Sequence, residues 1–295
     1  KAIAQKFPDA LEHHRLRREI IATQLANSMI NRGGPSLVVR IADQTGALPA
    51  GIATAFAAVR DSFDMPALNE EINALDGKVS GKLQLELYAG VQDLLLDRLV
   101  WFLRNVDLSK GLAGVVEHYR EGILALQAAL DAALPPEAEA ARAARTRELT
   151  AAGVPEAQAS RFASIAEIAA APDMVLIADR TSKPIAVIAA TYFAAEAYFR
   201  IDRVVAASRG IVVSDYFDRL ALDRALDSIG DAERRLTAMM VETGTAGEAA
   251  VEVWVKPRQA EVERIRASIH QIAGSGLTLS KLTVAASLLG DLAKG

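Results

Sequence analysis

Four histidines, an arginine-rich turn and a column of polar residues are where this 295-residue chain has side chains suited to chemistry. His118 and Glu121 stand one helical turn apart, close enough for an imidazole to share a proton or a metal with a carboxylate. Tyr119, not His118, lies on the apolar seam of that segment, so the pair reads as solvated. Arg15, Arg17 and Arg18, beside His13 and His14, form the most basic patch in the chain. Such a patch suits an anion, a solvated helix face or the acidic surface of a neighbour. Thr23, Asn27 and Asn31 fall at i, i+4 and i+8. Asn is a poor helix former, and two on one stripe call for hydrogen bonds to a neighbouring helix or domain, with a ligand contact as the second reading.

Several reaction classes lack the spacing they need. No Glu-x-x-His occurs, which removes the carboxylate-bridged di-iron bundle. Neither His-Glu-x-x-His nor Gly-x-Ser-x-Gly is present, so zinc peptidase and hydrolase readings have no support. The stretch from Gly77 to Leu83 is one residue short of a phosphate-binding loop and has Leu83 where a hydroxyl must hold magnesium; Gly274-Ser275-Gly276 lacks a third Gly and a preceding strand. Both read as loops. No catalytic, cofactor-binding or metal-ligating residue is assigned.

The elements that would position these residues are helices. The first is expected over 9–32, stopped by Gly33, Gly34 and Pro35, with Leu16, Ile20, Thr23, Asn27 and Ile30 on one side. Short helices follow over 36–45, from Pro49, and up to Asp76-Gly77. In 82–104, Tyr88, Val91, Leu95, Leu99 and Phe102 make a continuous apolar stripe, and Leu112, Val116, Tyr119, Ile123, Leu126 and Leu130 step by 4, 3, 4, 3 and 4. Pro135-Pro136 marks a lobe boundary. Beyond it helices are predicted over 155–170, 184–208, 214–229, 232–242, 246–273 with a kink or break at Pro257, and 277–293. The runs 174–178 and 251–255 have strand-like features but no partner strands, and are assigned as helix. The fold class is all-α, a multi-helix bundle of two packed lobes, 1–134 and 135–295.

Composition agrees and narrows the partners. Hydrophobic residues are 51%, aromatics 5% and charged residues 24%, enough to build a core. A net charge of −4 argues against nucleic acid. With no Cys, disulfides, thiolate metal sites and Cys nucleophiles are excluded, and the compartment is left open but consistent with a cytoplasmic location. The longest uncharged run, 44–59, is 16 residues and is interrupted by Gly46, Pro49 and Gly51, so no membrane span is expected. The chain opens on Lys1 with no leader and reads as a piece of something longer.

The stretch from His14 to Thr23, with Leu25-Ala26-Asn27 and Asn31-Arg32-Gly33-Gly34, resembles the segment just downstream of the nucleotide-binding domain in the large bacterial NAD-dependent glutamate dehydrogenases. Thr45-Gly46-Ala47, Leu75-Asp76 and the segment from Arg98 to Arg104 are similar to it as well. The likeness is dense over about the first 105 residues. It implies a parent chain that deaminates L-glutamate to 2-oxoglutarate and ammonia with NAD, as an oligomer in the cytoplasm. The Gly-rich turn and the catalytic Lys and Asp of that chemistry belong upstream, so none is carried onto this sequence. The resemblance implies a helical C-terminal region that buttresses the catalytic and dinucleotide-binding domains or makes subunit contacts. A regulatory module binding a metabolite or protein, and an autonomous helical enzyme, are the alternatives.

Overall fold

The computed structural model describes residues 13–294, and no strand occurs among the described residues. The all-α assignment holds. The chain divides into two units, the first ending at His118 and the second beginning at Tyr119. The Pro135-Pro136 pair proposed as the lobe boundary separates two helices, the second starting on Pro136, whose missing N–H costs nothing at a first helical position.

In the first unit the helices are α1 (Arg17–Gly33), α2 (Leu37–Thr45), α3 (Pro49–Ser62), α4 (Met65–Asn73) and α5 (Gly81–Asn105). The expected start of α1 at position 9 lies outside the described residues, and 13–16 form a turn in which the Leu16 N–H donates to His14 Nδ1 over 3.1 Å. Helix α3 is central. It buries Ile52, Ala55, Phe56, Val59 and Ser62, and packs against α1, α2, α4 and α5. The stripe on α5 is core at Val91, Leu95, Leu99 and Phe102, while Tyr88 sits at its edge with its hydroxyl on Asn73. The loop before α5 turns at Gly77, which has φ +70°, and Ser80 caps the helix by accepting from the Leu83 N–H over 3.2 Å.

Helix α6 (Leu112–Ala133) carries the 4-3-4-3-4 seam, with Tyr119, Ile123, Leu126 and Leu130 buried and Leu112 exposed. After it come α7 (Pro136–Ala151), α8 (Glu156–Ala163), α9 (Ile165–Ile168), α10 (Ala171–Thr181), α11 (Ile185–Phe199) and α12 (Ile201–Ser208). The chain ends with α13 (Tyr216–Val241), α14 (Glu248–Val255), α15 (Gln259–Ala273) and α16 (Leu279–Leu292). Both strand-like runs are helical, 174–178 within α10 and 251–255 in α14, and Pro257 breaks rather than kinks the chain, through a 3-10 turn at Lys256–Arg258.

Three boundaries differ from expectation for physical reasons. The helix expected over 184–208 is broken at Arg200, which adopts φ +58°. Phe199 and Ile201 are both buried, whereas positions two apart on an unbroken helix point about 200° apart; one left-handed residue brings both inward. Conversely, 214–229 and 232–242 are one helix, α13, because Gly230 stays right-handed and its flanking residues keep the same buried face. The helix expected over 155–170 is interrupted at Ser164, whose hydroxyl donates to the Ser160 carbonyl over 2.8 Å and lies 3.4 Å from an Arg142 guanidinium nitrogen. The hydrophobic centre of the second unit is α13, with Ile229, Leu236 and Met240 buried against Phe199, Val262, Leu282 and Leu289.

Candidate functional site

Helix α1 presents a stripe that its own unit does not use. Of its residues only Met29 and Gly33 are buried. Thr23, Asn27 and Asn31 are exposed, and so are the apolar residues sharing their side of the helix, among them Leu16 at 45% and Ile30 at 51%. At 100° per residue, Leu16, Ile20, Thr23, Asn27, Ile30 and Asn31 fall within one third of the helix circumference, opposite Met29. Among the described residues the side chains of Thr23, Asn27 and Asn31 enter no hydrogen bond. The expected polar column is therefore brought together on one face, and that face points away from α3.

The N-terminus of α1 is built against its own dipole. Arg15, Arg17 and Arg18 are all exposed, with Arg17 and Arg18 in the first turn, where exposed helix N–H groups already carry partial positive charge. Leu16 at the cap position supplies no side-chain bond, and Glu19 is the only acidic residue in that turn. The two cations in that turn weaken the helix by a few tenths of a kcal/mol each unless an acidic surface meets them. Arg15 lies in the turn before the helix rather than on it.

The other end of α1 is fixed. The Arg32 guanidinium donates to Asn69 Oδ1 and an Arg40 guanidinium nitrogen donates to the Gly33 carbonyl. A Cβ on Gly33 would lie 2.4 Å from a methyl of the fully buried Leu37, so α1 and α2 approach as closely as glycine allows.

The sequence reading missed a buried polar network in the second unit. Arg234 of α13 pairs with Asp173 of α10 and with Asp231 one turn back on its own helix. Beside it Glu233 is buried at 5% exposure, with one carboxyl oxygen unbonded, and meets the Tyr192 hydroxyl of α11. Burial and the charge of Glu196 push the Glu233 carboxyl well above its ordinary range, although the Tyr192 bond pulls the other way. Burial, followed by Asp202 and Glu167, pushes Glu196 up to about 8. Burial raises the Tyr192 hydroxyl, and Glu233 adds to it. For Arg234 burial works against the charge, but Asp173 and Asp231 outweigh it. The signal was available: Glu233 stands four residues after Ile229 and three before Leu236, inside the apolar register of α13.

The histidines do not assemble. His13, His14 and His118 are exposed, and His270 lies 3.3 Å from the Tyr198 carbonyl at the end of α11, where Arg266 also donates to it over 3.1 Å. Among the described residues no group of three or more His, Asp or Glu is placed to hold a metal ion, and no helix is long and apolar enough to cross a membrane.

Comparison with known proteins shows the family of the chain. The chain is 30% identical over 297 residues to an NAD-specific glutamate dehydrogenase of Pseudomonas aeruginosa, covering 99% of this chain and 18% of that protein. It is 30% identical over 296 residues to the NAD-specific glutamate dehydrogenase of Halomonas elongata, again covering 99% of this chain and 18% of the relative. The protein of the same name in Mycobacterium tuberculosis is 26% identical over 292 residues, or 97% of this chain. The chain thus spans less than a fifth of the length of these curated relatives. The family model described as "Glutamate dehydrogenase, C-terminal" matches residues 1–291, and the chain belongs to that family.

Proposed function

We propose that this chain serves as the helical scaffold of an NAD-dependent glutamate dehydrogenase, whose catalytic and dinucleotide-binding domains lie elsewhere in a longer parent. In that parent L-glutamate, NAD and water give 2-oxoglutarate, ammonia and NADH. Hydride transfer needs a nicotinamide ring and the substrate α-carbon held at near-attack distance by preorganised groups. On this reading those groups, and the NAD itself, belong to the upstream domains, and the parent works as a cytoplasmic homo-oligomer.

The observation that carries the scaffold role is the unbonded stripe of α1, flanked by a basic N-terminus. Apolar residues at 16, 20 and 30 interleaved with Thr23, Asn27 and Asn31 have the make-up of an interdomain contact, part apolar and part polar. Its counterpart is an acidic, partly apolar face of the dinucleotide-binding domain.

The test compares parent and fragment. The parent carrying Ile20→Arg or Ile30→Arg should lose NADH production while this chain with the same change melts as before, since both side chains are exposed here. The unmodified chain alone should neither bind NAD measurably nor reduce it with glutamate. Full activity in the parent variants removes the docking role. Steady NADH production by the purified chain makes it an enzyme instead of a scaffold.

A further inference from the structure

We propose that the second unit binds a small organic oxyanion, a carboxylate or a phosphate ester, in the cavity between α10 and α13, held by the guanidinium groups of Arg180 and Arg235. The inference does not rest on the dehydrogenase reading. The cavity has a volume of about 270 Å³, close to the lower end of the roughly 300–1,000 Å³ of small-molecule sites. Its apolar lining comes from Leu176, Ile177 and Ala238, and its charged lining from three arginines and a single carboxylate, Asp231.

The ion pairing within that set leaves two cations over. Arg234 is fully engaged, with Asp173 on one side and Asp231 on the other. Asp231, so occupied, reaches Arg235 only at 4.0 Å. Arg180, in the last turn of α10, has no ion pair among the described residues. Two exposed guanidinium groups thus stand over an apolar lining without a close carboxylate. A guanidinium presents a planar fork that matches carboxylate or phosphate oxygens two at a time. The apolar lining matches the hydrocarbon body of an organic anion rather than a bare inorganic ion.

The surroundings favour the same ligand class. The cavity adjoins a groove of about 510 Å³ between α13 and α16, which shares Asp231 and Arg235 and adds Arg224, Lys294 and Asp291. In a chain of net charge −4 this is a local excess of cations, and a concave basic surface concentrates anions and speeds their capture. Arg234 acts in another way. Held from both sides, it keeps the α10–α13 crossing in register and so fixes the spacing between Arg180 and Arg235.

The experiment titrates the 295-residue chain at low ionic strength with glutarate in one arm and phenyl phosphate in the other, following heat of binding. Saturable one-to-one binding with a Kd below about 1 mM is expected for at least one probe, and the arm that binds tighter names the ligand class. Arg180→Gln and Arg235→Gln should each weaken it about tenfold or more, and Arg209→Gln, on an exposed residue outside the cavity, should not. Arg180→Lys and Arg235→Lys keep the charge but lose the fork, and should fall between wild type and Gln; they carry the test if a Gln variant melts early. No saturable binding of either probe up to about 10 mM overturns the proposal, as does equal weakening by Arg209→Gln.

Discussion

Arg32 donates to the side-chain oxygen of Asn69 over 2.6 Å, and Asn69 returns its amide to the Met65 carbonyl over 2.6 Å, tying the end of α1 to the first turn of α4. Asn69 is buried at 7% exposure, so this short chain is the polar anchor of a helix whose opposite face is bare. Replacing Asn69 by Leu keeps the branched shape but adds volume at a buried position and removes the partner of both the Arg32 guanidinium and the Met65 carbonyl. The cost should be about 1–3 kcal/mol, with faster hydrogen exchange concentrated in α1. Unchanged exchange in α1 would show that Met29 and Gly33 hold the helix unaided.

Asn27→Leu tests the exposed stripe from the other side. With no hydrogen bond to lose among the described residues, and Leu the better helix former, the variant should be neutral or more stable by a few tenths of a kcal/mol. A loss of about 2 kcal/mol or more in chemical denaturation would place Asn27 in an internal network and remove the docking role.

Acidity should stabilise the second unit. Glu196 is raised to about 8 and Glu233 is raised as well, both by burial first, so the folded state holds protons that the unfolded chain releases near its ordinary 4.5. That stability is fully present below the unfolded value and is lost as pH climbs through the folded one. Melting temperature should fall between about pH 5 and pH 8. Asp202 and Glu167 face Glu196, and Tyr192, Asp173 and Arg234 face Glu233. Glu196→Gln, permanently neutral, should flatten the slope; a variant as steep as wild type would assign it to other groups.

Gly122 lies where α6 meets α10, and a Cβ there would stand 2.1 Å from Val175 Cγ2. Gly122→Ala should therefore cost about 1–3 kcal/mol despite the better helix propensity of Ala. Val175→Ala in the same chain should recover part of that loss, a coupling visible in a double-mutant cycle. Strict additivity would mean that the backbones separate to accommodate the methyl.

Ile123 is buried at 4% on the seam of α6. Ile123→Asp buries a carboxylate without a partner, and thermal melting should show the unit holding it unfolded at room temperature. A melt like wild type would place the stripe at the surface.

How much of this was legible in the sequence depended on whether the cause was local. The seam from Tyr119 to Leu130 follows from periodicity, and the stop after Gly33 follows from a residue tolerant of the conformation that ends a helix. The break at Arg200 carries no Gly or Pro to announce it and arises because Phe199 and Ile201 both find core. Periodicity groups the α1 residues into a stripe, yet it says which residues share a face, not which face meets the unit. The register of α13 marks position 233 as inward-facing, but a carboxylate is acceptable there only because the Tyr192 hydroxyl and the Asp173 partner of Arg234 arrive from distant parts of the chain.

The left-handed residue between α11 and α12 also makes a statement about evolution. Position 200 is constrained by backbone shape rather than by side-chain chemistry, because the Arg200–Glu137 pair is solvent-exposed and contributes little. Natural drift at this corner should therefore run toward Gly or Asn, which adopt that conformation at least cost, while Val and Ile are purged. Phe199 and Ile201 should change only in step with the core they enter. A lineage that replaced Arg200 with a β-branched residue would need a compensating change on both sides of the corner at once.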